Sequence, residues 1–262
     1  MEAIYNKIGN GYDITRKADP EILATFANLL TLNPSYSYLD IACGTGNYTA
    51  ELSKLGGHWY GFDQSKKMLD EAIAKSSAIK WQQCDVTNIR HEDNQFDGAI
   101  CSLAIHHFKD LRSAFVEIYR VIKPNAPLVI FTSTQEQMKD YWLTHYFPDM
   151  MEKSSQQMPR LTDITAALHE NNFTVTNTLP FFVTTELKDS FLYSGKQQPE
   201  LYLLESFRNG ISSFKNFCSI HELQASLLKL KNDIESRDIT HLINETKNKS
   251  DYLFLTAITT KN

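Results

Sequence analysis

The chain has 262 residues, of which 42% are hydrophobic, and its formal net charge is −5 at pH 7. This length allows one domain with an elaboration, and the apolar fraction is sufficient for a hydrophobic core. The negative charge and the lack of any Lys/Arg-rich block argue against a general nucleic-acid binder, and no apolar run approaches the roughly 20 residues of a membrane helix.

The four cysteines and eight histidines favour neither disulfides nor a metal site. Cys43, Cys84, Cys101 and Cys218 form no Cys-x-x-Cys pair, and three of them lie in or beside predicted strands, where Cys acts as a small apolar residue. The histidines show no ligand spacing, and the N-terminus has no basic-then-apolar signal pattern. We therefore expect a cytoplasmic protein without disulfides, bound metal or a membrane segment.

Strands alternate with helices along the first half of the chain. Residues 1–19 are polar and aromatic, and Pro20 begins a helix. The hydrophobic pattern then predicts strands at 37–42, 58–62, 79–83, 97–103 and 127–133, and helices at 46–55, after the cap Ser65 and at 110–121. This alternation is typical of a parallel, doubly wound sheet.

A loop of small residues follows the first predicted strand. Gly44 and Gly46 let the backbone turn tightly and let a ligand approach closely, and Asp63 ends the second strand about twenty residues later. A carboxylate at that point can hold two ribose hydroxyls. The pattern therefore indicates the first half of a nucleotide-binding α/β sheet.

The nucleotide is predicted not to be NAD. The dinucleotide pattern needs a third small residue three positions after the second glycine, and this chain has Thr49 there. Asp40, just before the loop, would also repel an anionic pyrophosphate. S-adenosylmethionine (SAM), which carries a sulfonium and an ammonium group, tolerates that carboxylate.

Asp40-x-Ala42-x-Gly44-x-Gly46 resembles the first motif of class I SAM-dependent methyltransferases. Ala42 replaces the motif's first glycine, and we expect little cost as long as that position does not need a positive φ. Three further motifs follow in order, at 83–86, 96–108 and 117–131. The chain is thus similar to the ubiquinone/menaquinone-type and trans-aconitate-type small-molecule methyltransferases over residues 36–134.

The resemblance implies an α/β fold: a Rossmann-like, seven-stranded class I methyltransferase sheet with helices on both faces and an antiparallel seventh strand. On that fold we place the remaining helix at 161–171, strand six at 173–178 with an alternative end at 186, and strand seven at 252–259. Residues 1–134, 161–186 and 250–262 would form the SAM-binding core. Residues 135–160 and 187–249 would form a cap for substrate recognition, mainly a helical insertion between strands six and seven with helices at 199–209 and 220–235.

The resemblance also implies which residues hold SAM and its product S-adenosylhomocysteine. They are Asp40, Ala42, Cys43, Gly44, Gly46, Asp63, Gln64, Met68, Asp85, Val86 and Ser102. In similar enzymes the N-terminal segment folds over the site, which assigns Tyr12 and Arg16 to the cofactor and Tyr5 to the substrate, with aromatic rings near the sulfonium. The alternative is a strap that only packs on the edge of the sheet.

Two histidines and three cap residues are candidates for contacts with the acceptor. His106 and His107 follow strand four, and one could act as a general base, since imidazole titrates near neutrality; alternatively one caps the next helix and the other packs under the cap. Trp142, Tyr146 and Arg208 lie in the insertions. A buried Arg would suit an anionic or planar acceptor, whereas an exposed Arg would only end a helix before Gly210.

The predicted function is methyl transfer from SAM to a small molecule, at an oxygen, nitrogen, carbon or carboxylate. The alternatives are a non-catalytic SAM-binding module and a methyltransferase acting on RNA or protein. The latter would need a basic groove or an added domain, and the Asn/Asp-Pro-Pro-aromatic motif is replaced by Ser102-Leu103-Ala104-Ile105. We expect no nucleic-acid or membrane partner, and a monomer or homodimer.

Overall fold

Seven strands form one mixed sheet in the computed structural model, which describes residues 15–261. In chain order the strands are β1 (Ser37–Ile41), β2 (His58–Asp63), β3 (Lys80–Gln83), β4 (Gly98–Ser102), β5 (Pro127–Thr132), β6 (Phe173–Phe181) and β7 (Tyr252–Thr259). Their order across the sheet is β3-β2-β1-β4-β5-β7-β6. β7 runs antiparallel to β5 and β6, and the other neighbours pair in parallel, which confirms the predicted sheet.

Two helices of the first half begin as the sequence predicts, the first at Pro20 and the third after the cap Ser65. Asp19 and Ser65 accept backbone N–H groups at the starts of the first and third helices. The helices are α1 (Pro20–Leu30), α2 (Asn47–Leu55), α3 (Lys66–Lys75), α4 (Leu111–Val121), α5 (Gln135–Lys139), α6 (Leu143–Tyr146), α7 (Pro148–Gln156), α8 (Leu161–Glu170), α9 (Glu205–Arg208), α10 (Ser212–Phe217), α11 (Ile220–Ser236) and α12 (Ile239–Thr246). No helix within residues 15–261 is long and apolar enough to cross a membrane.

Alternating side chains of β5 build a hydrophobic core on each face of the sheet. Leu128 and Ile130 belong to a cluster that includes buried residues of α4 and α8. Val129 and Phe131 belong to a second cluster, which includes buried residues of α1. Because side chains alternate in direction along a strand, the near-continuous apolar run of β5 fills both cores.

The two insertions join the second of these cores. Residues from both insertions lie in the same cluster as Phe131, among them Trp142, Phe147, Tyr193, Tyr202 and Leu230. Lys196 Nζ lies 2.8 Å from Asp251 Oδ1, with both side chains almost fully buried, and ties the second insertion to the start of β7. The division into core and cap stays a prediction, and the insertions and the sheet share one hydrophobic interior.

Two predicted elements differ from the structure. The helix predicted at 199–209 is a 3₁₀ helix over Pro199–Leu203 followed by the short α9, because Leu204 is extended (φ −82°, ψ 123°). Strand six ends at Phe181, between its two predicted ends. Pro180 near its end is compatible with an edge strand, which does not need every N–H in the ladder.

Candidate active site

A cavity of about 360 Å³ opens at the carboxyl ends of the central parallel strands. Its wall consists mainly of the loops that follow β1, β2, β3 and β4, with further residues from the start of α2. This is the edge at which open α/β sheets bind ligands, and the volume lies in the range of small-molecule sites.

The loop after β1 contains three residues in the left-handed region. Ala42, Gly44 and Gly46 have φ values of 55°, 56° and 70°. The condition under which Ala42 would cost little is therefore not met: the position takes the glycine conformation, and its Cβ makes that strained.

The two glycines of this loop serve different purposes. A Cβ on Gly44 would meet no atom within 4 Å, so at Gly44 the backbone itself borders the cavity. A Cβ on Gly46 would lie 2.4 Å from Cη2 of Trp81. Gly46 does not line the cavity, and it is required there for packing against the indole ring.

Asp40 is a buried carboxyl in the cavity wall. Thr49 Oγ1 donates a hydrogen bond of 2.5 Å to Asp40 Oδ2. Oδ1 is buried and has no hydrogen-bond partner among the described residues. The pKa of Asp40 is raised to about 7, chiefly by burial and also by the nearby Asp63, against the lowering effect of the Thr49 hydrogen bond.

Asp63 is fixed by backbone groups of the same loops. Its Oδ2 accepts the Gly44 N–H at 2.9 Å, and its Oδ1 accepts the Ser65 N–H at 2.7 Å. Burial raises the pKa of Asp63, although these N–H groups lower it. Each carboxylate oxygen has a second lone pair, so Asp63 can still accept hydroxyl groups of a ligand.

The charges of the wall are mainly negative. Among residues 15–261 the wall has the acidic residues Asp40, Asp63, Asp85, Asp110 and Asp189 and the cations Arg16 and Lys109. The Thr87 backbone N–H donates to Asp85 and holds the pKa of that carboxyl below its usual value. Such a wall attracts a cationic ligand and repels a pyrophosphate.

Arg16 closes one side of the cavity together with the second insertion. Its Nε and Nη2 lie 2.5 and 3.1 Å from the two carboxylate oxygens of Asp189. The Tyr48 hydroxyl donates to Asp189 at 3.1 Å, and all three residues line the cavity. Lys188 N–H donates to Asp19, and Ser190 N–H donates to the Thr15 carbonyl, so residues 15–19 and 188–190 form one clasp.

The two histidines after β4 are not equivalent. His107 lines the cavity and His106 does not, although their ring centroids are 3.9 Å apart. Burial lowers the pKa of His107 to about 4 and that of His106 well below its ordinary value. Both imidazoles are therefore neutral at pH 7, and of the two only His107 is placed to contact a ligand in the cavity.

Most of the predicted cofactor residues lie in the cavity wall. Ala42, Cys43, Gln64, Met68, Val86 and Ser102 line the cavity, as do the residues already described except Gly46. Tyr5 and Tyr12 lie outside the described residues.

The predicted substrate residues of the insertions are not brought to the cavity. Trp142 Nε1 donates to the Lys196 carbonyl, the Tyr146 hydroxyl donates to Asp233, and Arg208 Nη1 donates to the Tyr202 carbonyl. Each of these groups has its hydrogen-bond partner inside the insertions. Arg208 is only 9% exposed, so the alternative of an exposed Arg at a helix end does not hold either. Their assignment as substrate contacts therefore has no support from their positions.

Several lining residues were missed by reasoning from the sequence. Most lie within or beside the predicted motifs: Thr45, Asn47, Phe62, Cys84, Thr87, Leu103, Ala104, Phe108, Lys109, Asp110 and Ser113. Tyr48 and Asp189 also line the cavity. Asp189 carried no local signal, because its partner Arg16 is 173 residues away.

A family model described as a methyltransferase domain matches residues 39–130. A solved structure from Anabaena variabilis ATCC 29413, described as a methyltransferase from an antibiotic biosynthesis pathway, is 29% identical with a TM-score of 0.84 and covers 94% of this chain and 99% of that chain. Because the uncovered remainder is shorter than either insertion, the match includes at least part of each insertion.

Curated relatives match less of their own length. 2-Phytyl-1,4-naphtoquinone methyltransferase of Nostoc punctiforme is 35% identical over 101 residues, which cover 35% of this chain and only 44% of that protein. Demethylmenaquinone methyltransferase of Oceanobacillus iheyensis is 27% identical over 184 residues, which cover 67% of this chain and 74% of that protein.

Proposed function

We propose that this chain, whose residues 39–130 match a methyltransferase domain, is a class I methyltransferase that transfers a methyl group from SAM to a small-molecule acceptor. The observation that carries this proposal is the buried Asp40 in an acidic cavity wall, with Oδ1 unpartnered among the described residues. A ligand with positive charge and no phosphate fits this wall, and NAD does not.

The residues of the cavity match the parts of SAM. Asp40 would hold the ammonium group, Asp63 the ribose hydroxyls, and Asp85 with Val86 the adenine. The open space beside Gly44 allows a ligand to lie directly against the backbone.

When bound, SAM supplies an electrophilic methyl group with a neutral thioether as leaving group. The chain's contribution is then chiefly to align the acceptor and exclude water. The clasp closes one side of the cavity, and the neutral His107 imidazole can accept a hydrogen bond from a protonated acceptor. With a pKa of about 4, His107 is a weak base, so it would orient the acceptor more than deprotonate it.

The acceptor is proposed to be a planar or partly apolar small molecule. Leu103, Ala104 and Phe108 line the cavity beside His107 and give this part of the wall an apolar character. The names of the two quinone-methylating relatives support testing aromatic hydroxyl compounds first. Carboxylate acceptors form the second group, since they need no base.

The test is transfer of a labelled methyl group from SAM to a panel of aromatic and carboxylate acceptors. We expect turnover of at least one acceptor, and a fall of about tenfold or more in kcat/KM for His107→Asn that exceeds the fall for His106→Asn. SAM binding without transfer to any acceptor would contradict the enzymatic proposal and support a non-catalytic SAM-binding module. An equal loss in both variants would contradict the role given to His107.

A further inference from the structure

Asp40 accepts a hydrogen bond, and no positively charged group of the described part of the chain pairs with it. It is 2% exposed, and within residues 15–261 it takes part in no ion pair. The polar groups that face it are Thr49 from α2, Asp63 from the end of β2, Cys43 from the loop and Cys101 from β4. None of these groups is a cation.

The hydrogen bond from Thr49 determines which oxygen remains available. Thr49 is fully buried, and its hydroxyl donates to Oδ2. Oδ1 of this cavity-lining residue then remains a buried acceptor that has no partner within residues 15–261. An unpartnered buried polar atom is costly, and a ligand that binds there removes the cost.

We propose that Thr49 is a positioning residue that holds Asp40 with Oδ1 available to the ligand, and that Asp40 is partly protonated in the free protein and loses its proton when the ammonium group of the cofactor binds. The O–H bond of the carboxyl breaks, the proton goes to solvent, and the carboxylate pairs with the ammonium. This inference rests on the proposed function, because the ammonium belongs to SAM or S-adenosylhomocysteine.

The proposal predicts a pH dependence of cofactor affinity. Since the pKa of Asp40 in the free protein is about 7 and binding requires the carboxylate, affinity falls as the pH drops below about 7. Near pH 8 the α-amino group of the ligand itself begins to lose its charge, so affinity also falls above that pH.

Few other titratable groups near the site can cause a change in cofactor affinity around pH 7. Burial keeps the pKa of His107 at about 4 and raises the pKa values of the Cys43 and Cys101 thiols. Asp63 also has a raised pKa, so it could release a proton when the ribose binds. Comparing two ligands that share the ribose separates this proton from the one on Asp40.

The experiment is calorimetric titration at pH 6.5 in two buffers with different ionisation enthalpies. S-adenosylhomocysteine is compared with methylthioadenosine, which keeps the ribose but lacks the ammonium and carboxylate groups. We expect S-adenosylhomocysteine to release about 0.7 proton, from the pKa of about 7, and methylthioadenosine to release almost none. Asp40→Asn should abolish the difference between the ligands.

Thr49→Val, which keeps the shape and removes the hydroxyl, tests the positioning role. Loss of the hydrogen bond should weaken S-adenosylhomocysteine by about tenfold, leave methylthioadenosine within about twofold, and move proton release to higher pH.

Each contrary result has a distinct meaning. Equal proton release by both ligands, or release that persists in Asp40→Asn, would overturn the proton inference. Equal weakening of both ligands in Thr49→Val would overturn the positioning role. If neither ligand binds to the unmodified protein, the proposed function itself fails.

Discussion

Ala42 is a residue of the cavity loop with a strained backbone conformation. Its φ of 55° lies in the region that glycine adopts freely, between a buried strand and a glycine that borders the cavity. A residue with a Cβ atom costs about 1–2 kcal/mol there.

Ala42→Gly should therefore stabilise the protein. The relieved strain exceeds the extra entropy of the unfolded chain, so the free energy of unfolding should rise by about 0.5–1 kcal/mol in urea denaturation. Ala50→Gly, within α2, is the matched control and should lower the free energy of unfolding by about 1 kcal/mol. A lower free energy of unfolding for Ala42→Gly would contradict the claim that the positive φ of Ala42 destabilises the protein.

Individual site residues were predictable where a motif ties them to a strand end. Asp40, Asp63 and Asp85 were placed correctly in the wall, because parallel strands bring their carboxyl ends to one edge. Trp142 and Arg208 were not, because an aromatic or Arg residue in an insertion has the same local pattern whether it faces a cavity or an interior.

At the level of elements, the clasp joins parts of the chain that are distant in sequence. Arg16 forms a bidentate ion pair with Asp189, which is 1% exposed and also accepts from Tyr48. Removing the cation would leave a buried carboxylate with only a neutral partner, which is strongly unfavourable.

Arg16→Met should therefore open the clasp locally. We expect amide hydrogen exchange in residues 188–190 to become at least about tenfold faster, while the amides of β4 and β5 keep their protection. Arg112→Met removes a largely exposed ion pair with Glu170 and should leave exchange at 188–190 unchanged. Unchanged exchange in Arg16→Met would contradict the clasp.

Helices and strands were predicted correctly where the hydrophobic pattern is regular. The prediction failed where a single extended residue interrupts a helix. The five parallel strands of the first half were recovered with ends within one residue. The break at Leu204 was missed, because one extended residue between two helical turns leaves no trace in the apolar spacing.

At the scale of the whole molecule, the fold could be predicted from local sequence patterns, but the closure of the cavity could not. Alternating strands and helices with short connections restrict the topology to few choices. Contacts such as Arg16 with Asp189, 173 residues apart, depend on how the insertion folds back over the sheet. The high structural similarity to the Anabaena protein over 94% of this chain indicates that this insertion is part of a shared architecture.

The central claim is that the acidic cavity binds SAM. Calorimetric titration with SAM, S-adenosylhomocysteine and NAD in parallel tests it most directly, with Asp63→Ala as the matched variant. We predict micromolar binding of both sulfur ligands, no binding of NAD, and a loss of more than about tenfold in SAM affinity for Asp63→Ala, through the lost hydrogen bonds to ribose. Binding of NAD without binding of SAM would contradict the account.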